Sequence, residues 1–158
     1  MRIDLFIHKF ESSRKRWNEL IKSFQAEDLE KVGVIEGMSL KDLIAHISWY
    51  EMQMVELLST RVLAGSDLWG LKHAERNQKI YEDNKDKGIY EILGESTRTY
   101  LKFISELKLL TDVELSKPET FEGMPGDWVP WMMIAENSYE HYHQHSEDLV
   151  NWYSVLYN

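Results

Sequence analysis

Apolar residues recur at every third or fourth position along most of this chain, and the residues able to stop a helix are few and clustered. All three prolines fall between 118 and 130. In the first stretch Phe6, Phe10, Trp17, Leu20, Ile21 and Phe24 share one helical face. The second opens with "SLKD", in which Ser39 caps the free backbone N–H groups and Asp42 answers it three residues on. Its stripe runs Leu43, Ile47, Tyr50, Met54, Leu57. A third carries Ile89, Ile92, Leu93, Tyr100, Ile104 and Leu107, with a shorter helical lead-in over about 72–84. "GDWVPW" begins a fourth, predicted to run unbroken to about Tyr157, with Asp127 as its N-cap and Pro130 in the first turn. No segment alternates with period two for long enough to compete. Four amphipathic helices predict an all-α four-helix bundle, one domain over residues 1–158, with 109–126 crossing one end as an ordered loop.

Composition narrows the chemistry. Cysteine is absent, so any metal is held by His, Asp, Glu or water, and any thiol chemistry needs an external thiol. Lys and Arg number 18 against 27 Asp and Glu, a net charge of −9 that repels phosphate backbones. The one basic run, "RKR" at 14–16, reads as a solvated helix face, and nucleic acid is expected not to be a partner. No window approaches the ~18 apolar residues of a membrane span. The N-terminus lacks an apolar segment followed by a small-residue cleavage site, so a cytoplasmic protein is expected. A small-molecule substrate is the expected partner, on the grounds of the histidines considered next, with self-pairing into a homodimer through helix faces left open.

Three of the six histidines stand at alternate positions in "EHYHQH". On a helix each residue advances about 100°, so His141 and His145 differ by about 40° while His143 lies about 160° from either. Ile134, Leu149, Trp152 and Leu156 mark the inward stripe, and stepping back from Leu149 by fours lands on His145 and then His141. In "LIAHISWYE", His46 lies between Leu43 and Tyr50 on the inward stripe of the second helix. A buried imidazole without a partner costs on the order of 1–3 kcal/mol. A shared divalent ion removes that cost, and three imidazoles leave metal positions open, as in catalytic sites. The zincin spacing His-Glu-x-x-His is missing, and Glu140 with His143 is a lone Glu-x-x-His pair facing outward, which excludes a carboxylate-bridged di-iron site. Glu51 is predicted to be exposed, and Glu140 to lie on the surface or behind a ligand; His8 and His73 are read as solvated.

The segments "SLKDLIAHISWYE" and "NSYEHYHQH" together resemble the second- and fourth-helix signatures of the DinB-like superfamily (the DinB/YfiT type) over residues 4–153. Within it, "NQKIYEDNKDKGIYEILGESTRTYLKFISEL" and "DWVPWMMIAENSYEHYHQHSEDLVNWY" look most like the ClbS/DfsB branch. The resemblance implies a four-helix bundle with a metal on His46, His141 and His145. It implies a range of activities, among them thiol-dependent transferases and isomerases and metal-dependent hydrolases, and in the named branch a self-resistance enzyme that opens a cyclopropane warhead.

A divalent ion on three imidazoles, zinc or nickel, polarises a substrate oxygen, lowers the pKa of bound water toward ~7, or binds an incoming thiolate. The thiol route needs a low-molecular-weight thiol such as bacillithiol, mycothiol or glutathione as cosubstrate. Candidate substrate contacts are Asn137, one turn before His141, and Tyr50 and Tyr100 among the aromatics Trp49, Trp128, Trp131 and Tyr142. Arg76, Arg98 and Lys102 are candidate positive groups, read first as solvated. The competing reading is a non-catalytic bundle that binds or sequesters a small molecule, with a structural or vestigial metal site.

Overall fold

The computed structural model describes residues 1–35 and 37–158. Six α-helices make up most of it: α1 (Ile3–Ser23), α2 (Leu40–Thr60), α3 (His73–Asn84), α4 (Ile89–Leu107), α5 (Pro130–Glu136) and α6 (Tyr139–Tyr157). α2 packs along α4 and α1 along α6, and narrower contacts of α1 with α4 and α2 with α6 close the four long helices into a bundle. The apolar periodicity accounts for it, since Phe6, Phe10, Trp17 and Ile21 of α1 meet Leu43, Ile47, Met54, Phe103, Leu107 and Leu149 in one buried core. The expected cap of α2 is present, Ser39 accepting from the Asp42 N–H while Asp42 accepts from the Ser39 N–H.

Three local expectations are corrected. The fourth apolar stretch is two helices, because Ser138 and Asn137 turn their side chains back on the preceding turn. Ser138 Oγ donates to the Ile134 carbonyl at 2.6 Å, and Asn137 Nδ2 donates to that of Met133 at 2.8 Å. Pro130 opens α5 as predicted, but the N-cap is Val129 rather than Asp127. A short antiparallel hairpin, β1 (Val32–Ile35) with β2 (Met38–Ser39), pairs Val32 with Ser39 and Ile35 with Met38 where no strand was expected. It rests on α6 through Gly33, at φ +140°, where a Cβ would come within 2.5 Å of the Trp152 ring.

The largest departures concern charge. Arg14, read as part of a solvated face, and Glu51, read as an exposed carboxylate, are both buried. Arg14 enters from α1 and donates to the Tyr142 hydroxyl of α6 at 2.8 Å and to Ser96 Oγ of α4 at 2.9 Å. Tyr142 in turn donates to Glu51 of α2, whose other carboxylate oxygen lies 3.7 Å from the guanidinium. Burial pushes Glu51 up to about 7, with Arg14 and the Tyr142 hydroxyl pulling the other way. The guanidinium also lies over the Tyr100 ring, 4.9 Å from its centre. Removing one partner of such a pair leaves an uncompensated buried charge. Arg14→Met is therefore expected to lower unfolding stability by about 3–5 kcal/mol in urea titrations. Arg16→Met, on an exposed side chain of the same helix, should change it by less than about 0.5 kcal/mol.

Candidate metal centre

His46 sits on the buried face of α2, and His141 and His145 sit one turn apart on the facing side of α6. All three are buried, and one ligating atom from each lies within 4.8 Å of the others. His46 Nε2 and His141 Nε2 are 3.2 Å apart, and the His145 ring centre is 5.4 Å and 4.9 Å from theirs. The count of fours from Leu149 never crosses the break at Asn137–Ser138, so the face assignment survives the division of the fourth stretch. Desolvation, with neighbouring imidazoles adding repulsion, pushes His46 down to about 3 and His141 down to about 2. Both rings are thus neutral at ordinary pH and carry a free lone pair.

The donor set fits a divalent ion. Two nitrogens bound to one tetrahedral zinc stand about 3.3 Å apart, close to the separation here. His145 Nδ1 lies 2.9 Å from Asp148 Oδ2, a carboxylate contact that fixes the ring and leaves Nε2 unengaged. Among the described residues His141 Nδ1 has no hydrogen-bond partner. His143 turns away, as predicted, and meets Ser13 of α1 at 2.9 Å. Glu140, exposed, stands 3.9 Å from it and takes no part in the cluster. His8 and His73 are exposed, His73 on the edge of the cavity described next.

The imidazoles open on a cavity of about 1480 Å³. Tyr50 forms the wall nearest them, its ring centre 5.0 Å from that of His46 and 4.9 Å from that of His141. Asn137 lines the cavity too, with its amide nitrogen committed to Met133. Tyr100 does not belong there. It packs against Phe10 and beneath Arg14, on the side of the bundle away from the cluster, because the stripe of α4 faces α1 and α2. Trp128 lines the cavity, Trp49 backs it through Tyr50 and Trp69, and Trp131 and Tyr142 pack into the core. Arg98 and Lys102 are solvated as read, whereas Arg76 lines the cavity, half-buried.

Sequence reasoning missed Gln53, Trp69, Asn77 and Asp148. Two of these were legible: Asp148 is three residues from His145, and Gln53 is seven from His46, hence on the same face of α2. Trp69 and Asn77 lie on a 3-10 turn and a polar helix that carry no comparable signal.

The family model described as the DinB superfamily matches residues 9–148. None of the curated proteins matches the sequence. Among solved structures, the chain is similar to an uncharacterised protein of Escherichia coli UTI89, with 17% identity and a TM-score of 0.78, covering 97% of this chain and 93% of that one. It is similar to the colibactin self-resistance protein ClbS in complex with a dsDNA, with 16% identity and a TM-score of 0.78, covering 95% and 94%. It is similar to the sibling lethal factor precursor DfsB, with 11% identity and a TM-score of 0.78, covering 100% and 98%. At these identities the likeness is one of fold. The ClbS complex overturns the expectation that excluded nucleic acid. A net charge of −9 is a sum over the chain and leaves local faces undetermined; Lys15 and Arg16 on α1 and Arg98 and Lys102 on α4 all stand exposed. No helix is long and apolar enough to cross a membrane among the described residues.

The imidazoles also set a pH dependence. His46 and His141 titrate near 6.5 when unfolded but only near 3 and 2 when folded, so below about pH 6.5 the unfolded chain takes up protons first. The stability they contribute is present above that pH and is lost as the pH falls. In urea titrations of chelator-treated protein between pH 6 and pH 4, His46→Gln and His141→Gln should each flatten the fall in stability, by up to about 1.4 kcal/mol per pH unit.

Proposed function

The chain belongs to the DinB superfamily, and on that premise we propose that it is a divalent-metal-dependent enzyme acting on a reactive small molecule, by hydrolysis or by thiol transfer, with His46, His141 and His145 as the metal ligands. The observation that carries this reading is the meeting of three buried imidazoles from α2 and α6 at the floor of a large open cavity. Zinc or nickel suits an all-imidazole donor set. When bound, such an ion supplies a Lewis acid with open positions, able to polarise a substrate oxygen, acidify water or accept a thiolate.

The chain's own residues do the rest. Asp148 holds the His145 ring in one orientation, and the low basicity of His46 and His141 keeps both rings deprotonated for binding. Tyr50, Trp128 and Met133 offer an apolar wall to the body of a substrate, and Asn137 leaves its amide oxygen for a polar contact. The chain has no cysteine, so the thiol of a transfer reaction is an external cosubstrate. ClbS is described as a colibactin self-resistance protein. By likeness of fold, the role proposed here is protective, the removal of a reactive compound in the cytoplasm.

A second reading keeps the cavity and drops the chemistry. His46 and His141 are within hydrogen-bond reach of one another, so a proton shared between their Nε2 atoms holds the pair without an ion. The protein is then a small-molecule binder. Elemental analysis of natively expressed protein separates the two. The enzyme reading expects about one zinc or nickel per chain, retained through purification and lost in both His141→Ala and His145→Ala. It also expects chelator-sensitive mass changes when the protein is incubated with electrophiles, with and without added thiol. Metal well below stoichiometry, or metal retained equally in the variants, rejects it.

A further inference from the structure

Arg76 is held in an unusual way. Its Nε donates to the Tyr50 hydroxyl at 3.0 Å, and that hydroxyl donates to Asn77 Oδ1 at 3.1 Å. The guanidinium carbon stands 4.8 Å from the Trp69 ring centre and 5.8 Å from that of Tyr50. Trp69 is itself fixed, its indole N–H donating to Gln53 Oε1 at 3.2 Å. The group is therefore held at its Nε and over the Trp69 ring by α2, α3 and the turn between them.

Its outer edge is uncommitted. Among the described residues no carboxylate lies within ion-pair distance of Arg76, and neither Nη atom has a hydrogen-bond partner. Of the carboxylates lining the same cavity, Asp148 is engaged by His145, and Glu136 is exposed. A side chain needed only for packing at this position would be better served by an apolar residue, since ordering an arginine costs rotamer freedom and partial desolvation. A fork held at Nε and lying over an indole ring keeps its two terminal N–H groups free to meet a carboxylate with two parallel hydrogen bonds. The Tyr50 ring, with Arg76 at its hydroxyl end, has the ring centres of His46 and His141 5.0 Å and 4.9 Å from its own. The two polar ends of the cavity are thus one phenol ring apart.

We propose that Arg76 docks the carboxylate of the small molecule this cavity receives, and that the ligand class is a carboxylate-bearing compound whose apolar body lies along Tyr50 and Trp69. The inference rests on the cavity being the ligand site of the proposed function, but it is independent of whether a metal is bound. The carboxylate belongs either to the substrate or to a thiol cosubstrate, and two probes distinguish these.

Binding is measured calorimetrically on chelator-treated protein with hippurate and with N-acetylcysteine, each against its neutral amide. Metal content is determined separately, so failure of the metal reading leaves this test intact. The wild-type chain should bind at least one carboxylate about tenfold more tightly than its amide, with affinity falling as salt is added. Preference for hippurate assigns the subsite to the substrate; preference for N-acetylcysteine alone assigns it to the thiol. Arg76→Gln should remove the preference, bringing the carboxylate's affinity down to about that of its amide, and Arg76→Lys should keep part of it. Thermal melts of both variants check that α3 remains folded. If neither carboxylate is preferred, or if the preference survives in a folded Arg76→Gln protein, the proposal is overturned.

Discussion

One buried polar junction orients the bundle. Arg14, Glu51, Ser96 and Tyr142 come from the four long helices and meet at one point, joined by three hydrogen bonds. Apolar packing alone tolerates small rotations of a helix, because one branched side chain substitutes for another at little cost. A hydrogen-bonded charge in a desolvated interior does not, since each misalignment leaves a polar group unpaired. With Tyr142 turned into the junction, its neighbour His141 and the residue one turn on, His145, are carried to the side facing α2. With Glu51 turned into it, His46 and Tyr50 are carried toward α6. The cluster of imidazoles is therefore a consequence of where the junction sits, as well as of the apolar stripes. Stability is not its clearest product, because isosteric apolar residues would pack there at less desolvation cost.

The bundle supplies the imidazoles, and the excursions from it supply the cavity. α2 and α6 hold the cluster, while Trp69 and Arg76 come from the chain between α2 and α4, and Trp128 and Met133 from the chain around α5. Such segments vary their side chains without disturbing a core. On the proposed function, the cavity walls are thus the part of this molecule free to set which compound is accepted, and the cluster is the part that sets what is done to it. Likeness of fold to ClbS and DfsB speaks to the bundle and is silent on those walls.

The helices and the histidine faces were legible because each rests on one physical regularity, the 3.6-residue repeat. Placing His141 and His145 inward needed only Leu149 as a reference on the same helix. The unbroken fourth helix failed for a different reason. Ser138 bonding back to Ile134 is a choice between two partners for one carbonyl, and periodicity does not register it. Glu51 and Arg14 were misread because a charged residue is ordinarily exposed, and the exception depends on a partner supplied by another helix 37 residues away in sequence. Tyr100 was placed in the cavity on its aromatic character, which does not distinguish the two sides of a bundle. Asp148 and Gln53 lay at helical spacing from the histidines and were available to the same reasoning that found the triad.

Two buried or half-buried arginines make the contrast that matters most for function. Arg14 has a carboxylate, a phenol and a serine hydroxyl within reach, all supplied by the chain itself. Arg76 has a phenol oxygen and an indole ring beside it and, among the described residues, no acid. Both pay the desolvation that a guanidinium resists, yet only the first recovers it from the chain itself. In a protein carrying nine more negative than positive charges, acidic side chains are abundant, and among the described residues none stands within ion-pair distance of Arg76. A paired interior charge belongs to the architecture. One without an acid among the described residues, pinned in orientation and lining a cavity, is on the proposal made above completed by a ligand that enters from outside.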